Sequence, residues 1–194
     1  MKSAFLRLLS LLIGAGAFAG SGCTDPVRDD AIDALGPETQ GGPGPDHRPG
    51  QPCLLCHSDG GPASDKPFAV AGTLYESDAA GAKGASDYVI QFVDATGGSP
   101  VLPPPTGDSG NFYVPLADWT QIAFPIRAAV YKTVDDKPLV VMKSLIGRNG
   151  SCNYCHQPTP SKDDIPSDKD AKKKYLLQTT ASAGQMYVNK QGSQ

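Results

Sequence analysis

Between Phe68 and Ser144 apolar residues recur in short runs separated by clusters of glycine and proline. Phe68 to Tyr75 (FAVAGTLY) is one such run. Tyr88, Ile90 and Phe92 alternate along YVIQFVD, which puts one apolar face on a strand of period two. Asn111 to Val114 forms a third run, and Leu139 to Met142 a fifth. Between them Phe124, Ile126, Ala128 and Val130 alternate along FPIRAAVYK, with Arg127 on the other parity. The breaks are Gly81-Ala82-Lys83-Gly84, Thr96 to Pro100 and Pro103-Pro104-Pro105. Short strands at this spacing, with turn residues between them, predict a mainly β fold built as an antiparallel sandwich.

Outside that block the texture changes. Residues 24–52 have almost no apolar periodicity, and Gly36-Pro37, Gly41 to Pro45 and Pro49 to Pro52 oppose helix and strand alike. The stretch reads as a flexible tether. After Pro158 the chain is polar. Ser167 and Asp170 form a capping pattern for a short helix over 171–178, with Lys172, Lys173 and Lys174 as its solvated face. Asn149-Gly150-Ser151 matches a glycosylation sequon but reads better as a turn.

Residues 1–22 begin with basic Lys2 and Arg7, continue through an apolar Leu8–Ile13, and fade into alanine and glycine. That is the layout of an export signal, too short and glycine-rich for a good membrane span. Ala17-Phe18-Ala19 offers one cleavage site. Gly20-Ser21-Gly22-Cys23 resembles the lipobox of bacterial lipoproteins, in which the cysteine becomes the lipidated first residue, although Gly20 stands where that pattern prefers leucine. The resemblance implies a lipid on Cys23, anchorage to the periplasmic face or outer membrane, and export to an oxidising compartment.

The domain plan is then a signal over 1–22, a lipid-anchored tether over 23–50, a first chemistry-bearing segment over 51–66, the sandwich over 67–146, and a second such segment with a polar tail over 147–194. A chain of 194 residues with 39% hydrophobic composition suits one domain or a compact pair. Five cysteines are too few for a disulfide-built miniprotein. The formal charge of −3 becomes more negative once Lys2 and Arg7 leave, which argues against a nucleic-acid partner.

Four of the cysteines and two of the three histidines fall in two copies of one pattern. These are Cys53-Leu54-Leu55-Cys56-His57 and Cys152-Asn153-Tyr154-Cys155-His156. C-x-x-C-H is the attachment signature of haem c: two thiols join the macrocycle as thioethers, and the adjacent histidine faces the iron. At these motifs the chain resembles c-type cytochromes. The resemblance implies two covalent haems, with His57 and His156 as axial ligands and the segments around them as short helical turns. A four-cysteine zinc site would also use two C-x-x-C pairs, but the 95 residues between Cys56 and Cys152 exceed the usual spacing. Redox-active C-x-x-C disulfides would want a thioredoxin-like βαβ context, and none is visible.

Candidate sixth ligands are His47, Met142 and Met186. His47 lies six residues before Cys53, and Met186 thirty residues after His156. Three histidines cannot supply two bis-histidine irons in one chain. One iron must therefore be ligated differently, left open, or completed by a partner chain. Between the motifs, Val70 to Tyr75 and Thr106 to Val114 resemble the carboxypeptidase-regulatory or transthyretin-like β-sandwich, which implies a spacer or docking module rather than an active site.

The expectation is a dihaem electron carrier of the envelope, not an enzyme, working with redox partner proteins and anchored to a membrane. A dihaem peroxidase-like enzyme or a haem-based sensor with one open iron stays as an alternative, although the paired-motif peroxidases are longer and mostly helical.

Overall fold

The computed structural model describes residues 25–38, 42–133, 137–158, 167–169 and 182–188. Cys23, the export segment and the predicted helix over 171–178 lie outside them. Among the described residues no helix is long and apolar enough to cross a membrane.

The described chain begins with one α-helix, α1 (Pro26–Asp33). Asp25 starts it by accepting the amides of Val27 and Arg28 at 3.1 and 3.2 Å, and Pro26 supplies a first-turn residue that needs no amide partner. Six strands follow: β1 (Phe68–Tyr75), β2 (Val89–Val93), β3 (Asn111–Pro115), β4 (Arg127–Tyr131), β5 (Val140–Val141) and β6 (Met186–Tyr187). They form two three-stranded sheets, ordered β3-β1-β6 and β2-β4-β5.

The alternating runs fold as their pattern dictates. β2 pairs antiparallel with β4, Ile90 opposite Val130 and Phe92 opposite Ala128. β1 pairs antiparallel with β3 through Val70–Val114, Ala71–Tyr113, Gly72–Phe112 and Thr73–Asn111. Val70, Phe112 and Val114 from the first sheet meet Ile90 and Phe92 from the second, with Ile126 and Trp119 closing the core. Phe92, Val70 and Ile126 are wholly buried, so the mainly β sandwich is the observed fold.

Two features depart from expectation. β6 joins β1 in parallel, Leu74 opposite Met186, so the first sheet is mixed. The Gly/Pro stretch is also more than a tether, since it holds α1 and then a loop fastened to β3. Asn111 Nδ2 donates to the carbonyls of Pro45 and His47 at 3.1 and 2.9 Å. Asp46 accepts from the amide and hydroxyl of Ser109 at 3.1 and 2.8 Å. The Asn-Gly-Ser turn forms as read, with Asn149 accepting the Ser151 amide at 2.7 Å.

β1 is buried along nearly its whole length because both of its faces are used. Val70 and Leu74 look into the apolar clusters. Thr73, on the opposite parity, meets Gly50 just before the first cysteine motif and Asn153 inside the second.

Candidate functional site

Each motif opens as a single 3-10 turn, Cys53–Leu55 and Cys152–Tyr154. The two have nearly the same backbone. The preceding residues, Pro52 and Ser151, sit at φ −69°, ψ 91° and φ −80°, ψ 91°. Their second cysteines, Cys56 and Cys155, sit at φ −92°, ψ −40° and φ −98°, ψ −31°. In a 3-10 turn residues i and i+3 eclipse, which brings the two cysteines of each motif close along the backbone, although Cys152 is buried and Cys155 exposed. The histidine amide then reaches back one residue further: His57 donates to the Cys53 carbonyl and His156 to the Cys152 carbonyl, both at 2.9 Å. Five residues thus carry two thiols and an imidazole on a closed turn, and the chain builds that turn twice.

The imidazoles are fixed in the same way. His57 Nδ1 lies 2.8 Å from the Lys66 carbonyl, and His156 Nδ1 lies 2.8 Å from the Gly184 carbonyl. A carbonyl can only accept, so Nδ1 carries the proton in both rings and Nε2 keeps its lone pair. This is the arrangement by which proteins orient a ligating histidine. His57 also stacks on Phe68 (centroids 4.0 Å apart), which stacks on Tyr113 (4.6 Å), so an aromatic column sets the ring plane. Burial pulls the His57 pKa below its ordinary value, with the Lys66 carbonyl opposing.

Burial raises the pKa of three thiols, those of Cys53, Cys56 and Cys152. Burial, reinforced by the charge of Cys56, pushes Cys53 up to about 11. Burial pushes Cys152 up to about 12, and the charge of Cys53 adds to the rise. Cys56 is raised by burial, with Arg48 pulling the other way. Thiolate chemistry calls for the opposite environment, an electropositive and partly exposed site. Among the described residues no three His, Cys, Asp or Glu side chains are gathered to hold a metal ion.

Far apart in sequence, the motifs meet on β1. The Thr73 hydroxyl accepts the amide of Gly50, three residues before Cys53, at 2.8 Å. The same hydroxyl accepts Asn153 Nδ2 from inside the second motif at 3.2 Å and donates to Asn111 Oδ1 at 2.8 Å. The Thr73 amide donates to Asn153 Oδ1 at 3.0 Å. Alongside, Ser151 bridges to Ala71 in parallel, so the second motif occupies the edge of β1 that β6 continues. Two glycines permit these approaches. A Cβ on Gly72 would stand 2.8 Å from Cys152 Cβ. Gly50 has φ +80°, and a Cβ there would stand 2.3 Å from Pro158 Cγ and 2.4 Å from the Tyr75 hydroxyl. Leu54 and Leu55 of the first motif and Tyr154 of the second line one hollow of about 480 Å3.

Beside the first motif is a larger cavity of about 900 Å3. Cys53, Cys56 and His57 line it together with His47, Phe68 and Tyr113. Its size is in the upper part of the range of ligand sites.

Of the other candidate ligands, Met186 is in β6. Its methyl reaches Gly72, and the side chain packs against both apolar clusters. The carbonyl that holds His156 Nδ1 belongs to Gly184, two residues earlier, so this segment backs the side of the ring away from Nε2. Met142 lies just beyond β5, its amide bonded to the Ala128 carbonyl. Spacing alone does not identify Thr73, Asn111 and Asn153, whose importance depends on the fold that assembles them. No family model matches this chain, and neither the curated proteins nor the solved structures compared with it give a match.

Proposed function

We propose that the chain is a dihaem c-type cytochrome that carries electrons at the cell envelope, held there through a lipid on Cys23. The observation that carries this reading is the duplicated turn, in which the histidine amide returns to the first cysteine's carbonyl and the imidazole Nδ1 is spent on a backbone carbonyl. Cys53 and Cys56 would hold one haem and Cys152 and Cys155 the other, with Nε2 of His57 and of His156 turned to the irons. In each thioether the S–H adds across a vinyl double bond: sulfur bonds one carbon, hydrogen goes to the next, and no oxidant is consumed. The haem supplies a one-electron couple.

The chain's own residues perform the remaining work. Lys66 and Gly184 fix the imidazole tautomers, Phe68 and Tyr113 hold the His57 ring plane, and Thr73 ties the two motifs to one strand. The wall of the cavity beside Cys53 includes Phe68, Phe112, Tyr113, Ile32 and Leu35, which offer apolar surface to a large macrocycle. The raised pKa values of Cys53 and Cys152 weigh against a redox disulfide, which acts through the deprotonated sulfur.

The test is expression in a host competent for cytochrome c maturation, followed by intact mass and extraction with acid-acetone. Two haems per chain that resist extraction are expected. The double variant Cys53→Ser/Cys56→Ser should carry one haem fewer. Protein that emerges without covalent haem would defeat the proposal. Palmitate label lost in Cys23→Ala tests the anchor separately.

A further inference from the structure

We infer that His47 is the sixth ligand of the iron held by His57. The inference rests on the dihaem reading and extends it to a residue outside both motifs. His47 and His57 line the same cavity of about 900 Å3, on whose wall the Cys53 and Cys56 thiols also lie. Their ring centroids are 5.8 Å apart with the planes inclined by 46°, so the rings do not stack on each other. Two metal–nitrogen bonds of about 2 Å, added to the half-widths of two imidazoles, place the centroids of a bis-imidazole metal site about 6 Å apart. The observed 5.8 Å is close to that span.

The donor atom matches as well. His47 Nδ1 is bonded to the Gly44 carbonyl, so the proton is on Nδ1 and Nε2 is the nitrogen left to bind metal. That is the same solution the chain uses for His57 with Lys66 and for His156 with Gly184. All three histidines of the sequence therefore present Nε2.

The loop that carries His47 is fastened. The His47 carbonyl accepts from Asn111 Nδ2 at 2.9 Å, and the neighbouring Asp46 carboxylate accepts the amide and hydroxyl of Ser109. Three residues on, the Gly50 amide is held by Thr73. A ring mounted on such a loop is pre-positioned over the cavity, and its ordering cost falls on bonds that do not involve the metal. With His47 and His57 assigned to one iron, the second has only His156. The two irons then differ in axial ligation, and the bis-histidine iron takes the lower potential wherever the other gains a thioether.

The experiment compares His47→Ala with wild type, both as full chains matured with haem. Intact mass counts haems, and carbon monoxide titration of the reduced protein counts irons with a free or weakly held sixth position. In the variant both haems should be retained, carbon monoxide sites should rise by one per chain, and one ferric haem should turn high-spin. Added imidazole should return it to low-spin. An unchanged carbon monoxide count with both haems present overturns the assignment. Near-infrared magnetic circular dichroism of the wild type asks the same question without a mutation. A bis-imidazole band for one haem supports His47, and its absence overturns the assignment even if His47→Ala does not mature. Wild-type protein without haem defeats the dihaem reading and this inference with it, whereas haem-loaded protein whose ligation ignores His47 defeats this inference alone.

Discussion

Thr73→Val is the sharpest test of how the two motifs are joined. The substitution keeps the shape of the side chain and removes only the hydroxyl. That hydroxyl accepts the Gly50 amide and Asn153 Nδ2 and donates to Asn111 Oδ1. Thr73 is 1% exposed and Asn153 is fully buried, so water cannot replace the lost partner without opening the site. Leaving a buried polar group unpaired costs about 1–3 kcal/mol. Two such groups, Gly50 and Asn153, with the half-exposed Asn111 discounted, give a loss of about 3 kcal/mol. For a chain of this size that corresponds to a fall in melting temperature of about 6–12 °C. Thr73→Ser keeps the hydroxyl and loses one methyl, so it should cost about 1 kcal/mol or less. Urea denaturation of the three proteins, followed by far-ultraviolet circular dichroism, measures the series. A Thr73→Val protein within about 0.5 kcal/mol of wild type would refute the reasoning, and so would a serine variant as weak as the valine one.

Two further outcomes follow from particular contacts. Gly72→Ala would set a Cβ 2.7 Å from Phe112 Cζ, 2.8 Å from Cys152 Cβ and 3.0 Å from Met186 Cε. The methionine can move aside and the other two cannot, so a loss of about 1–3 kcal/mol is expected in the same denaturation assay. Asp94 is held below the usual carboxylate range, first by the Thr96 hydroxyl and then by the amides of Thr96 and Ala123. Its folded pKa is depressed, so its contribution to stability is present above the unfolded pKa and is lost as pH falls through the folded one. Carboxyl chemical shifts followed by NMR should show Asp94 titrating late on acidification, and Thr96→Val should move its midpoint back up.

The alternating runs predict β2 and β4 because each strand has one face in a shared core, and burial of Ile90, Phe92 and Ile126 enforces that periodicity. β1 is readable as a β run, but its burial on both sides appears only in the fold. β6 leaves no such trace. Its two residues pair because Gly184 is engaged by His156 and the Val188 amide reaches the Tyr75 carbonyl, a partner far upstream in the chain. The loop before Cys53 misleads for a similar reason. Its glycines and prolines refuse regular structure, and what orders it is Asn111 and Ser109, some sixty residues later. Spacing reveals the motifs themselves, because two thiols and an imidazole on one turn form a local pattern. Their meeting at Thr73 is a property of strand register, which no local pattern contains.

The seat of Cys152 has a consequence for how a dihaem protein of this kind would be made. The residue is 9% exposed, walled by Gly72 and the apolar cluster of both sheets, whereas Cys155 stands in the open. A vinyl group could not reach that first sulfur once the Gly150–His156 segment had docked on β1. Covalent loading of the second motif would then have to precede the closing of the fold, and the last sheet edge to be completed would wait on it. For a chain translocated across a membrane unfolded, the order of assembly follows: export, then haem, then the strand that seals it.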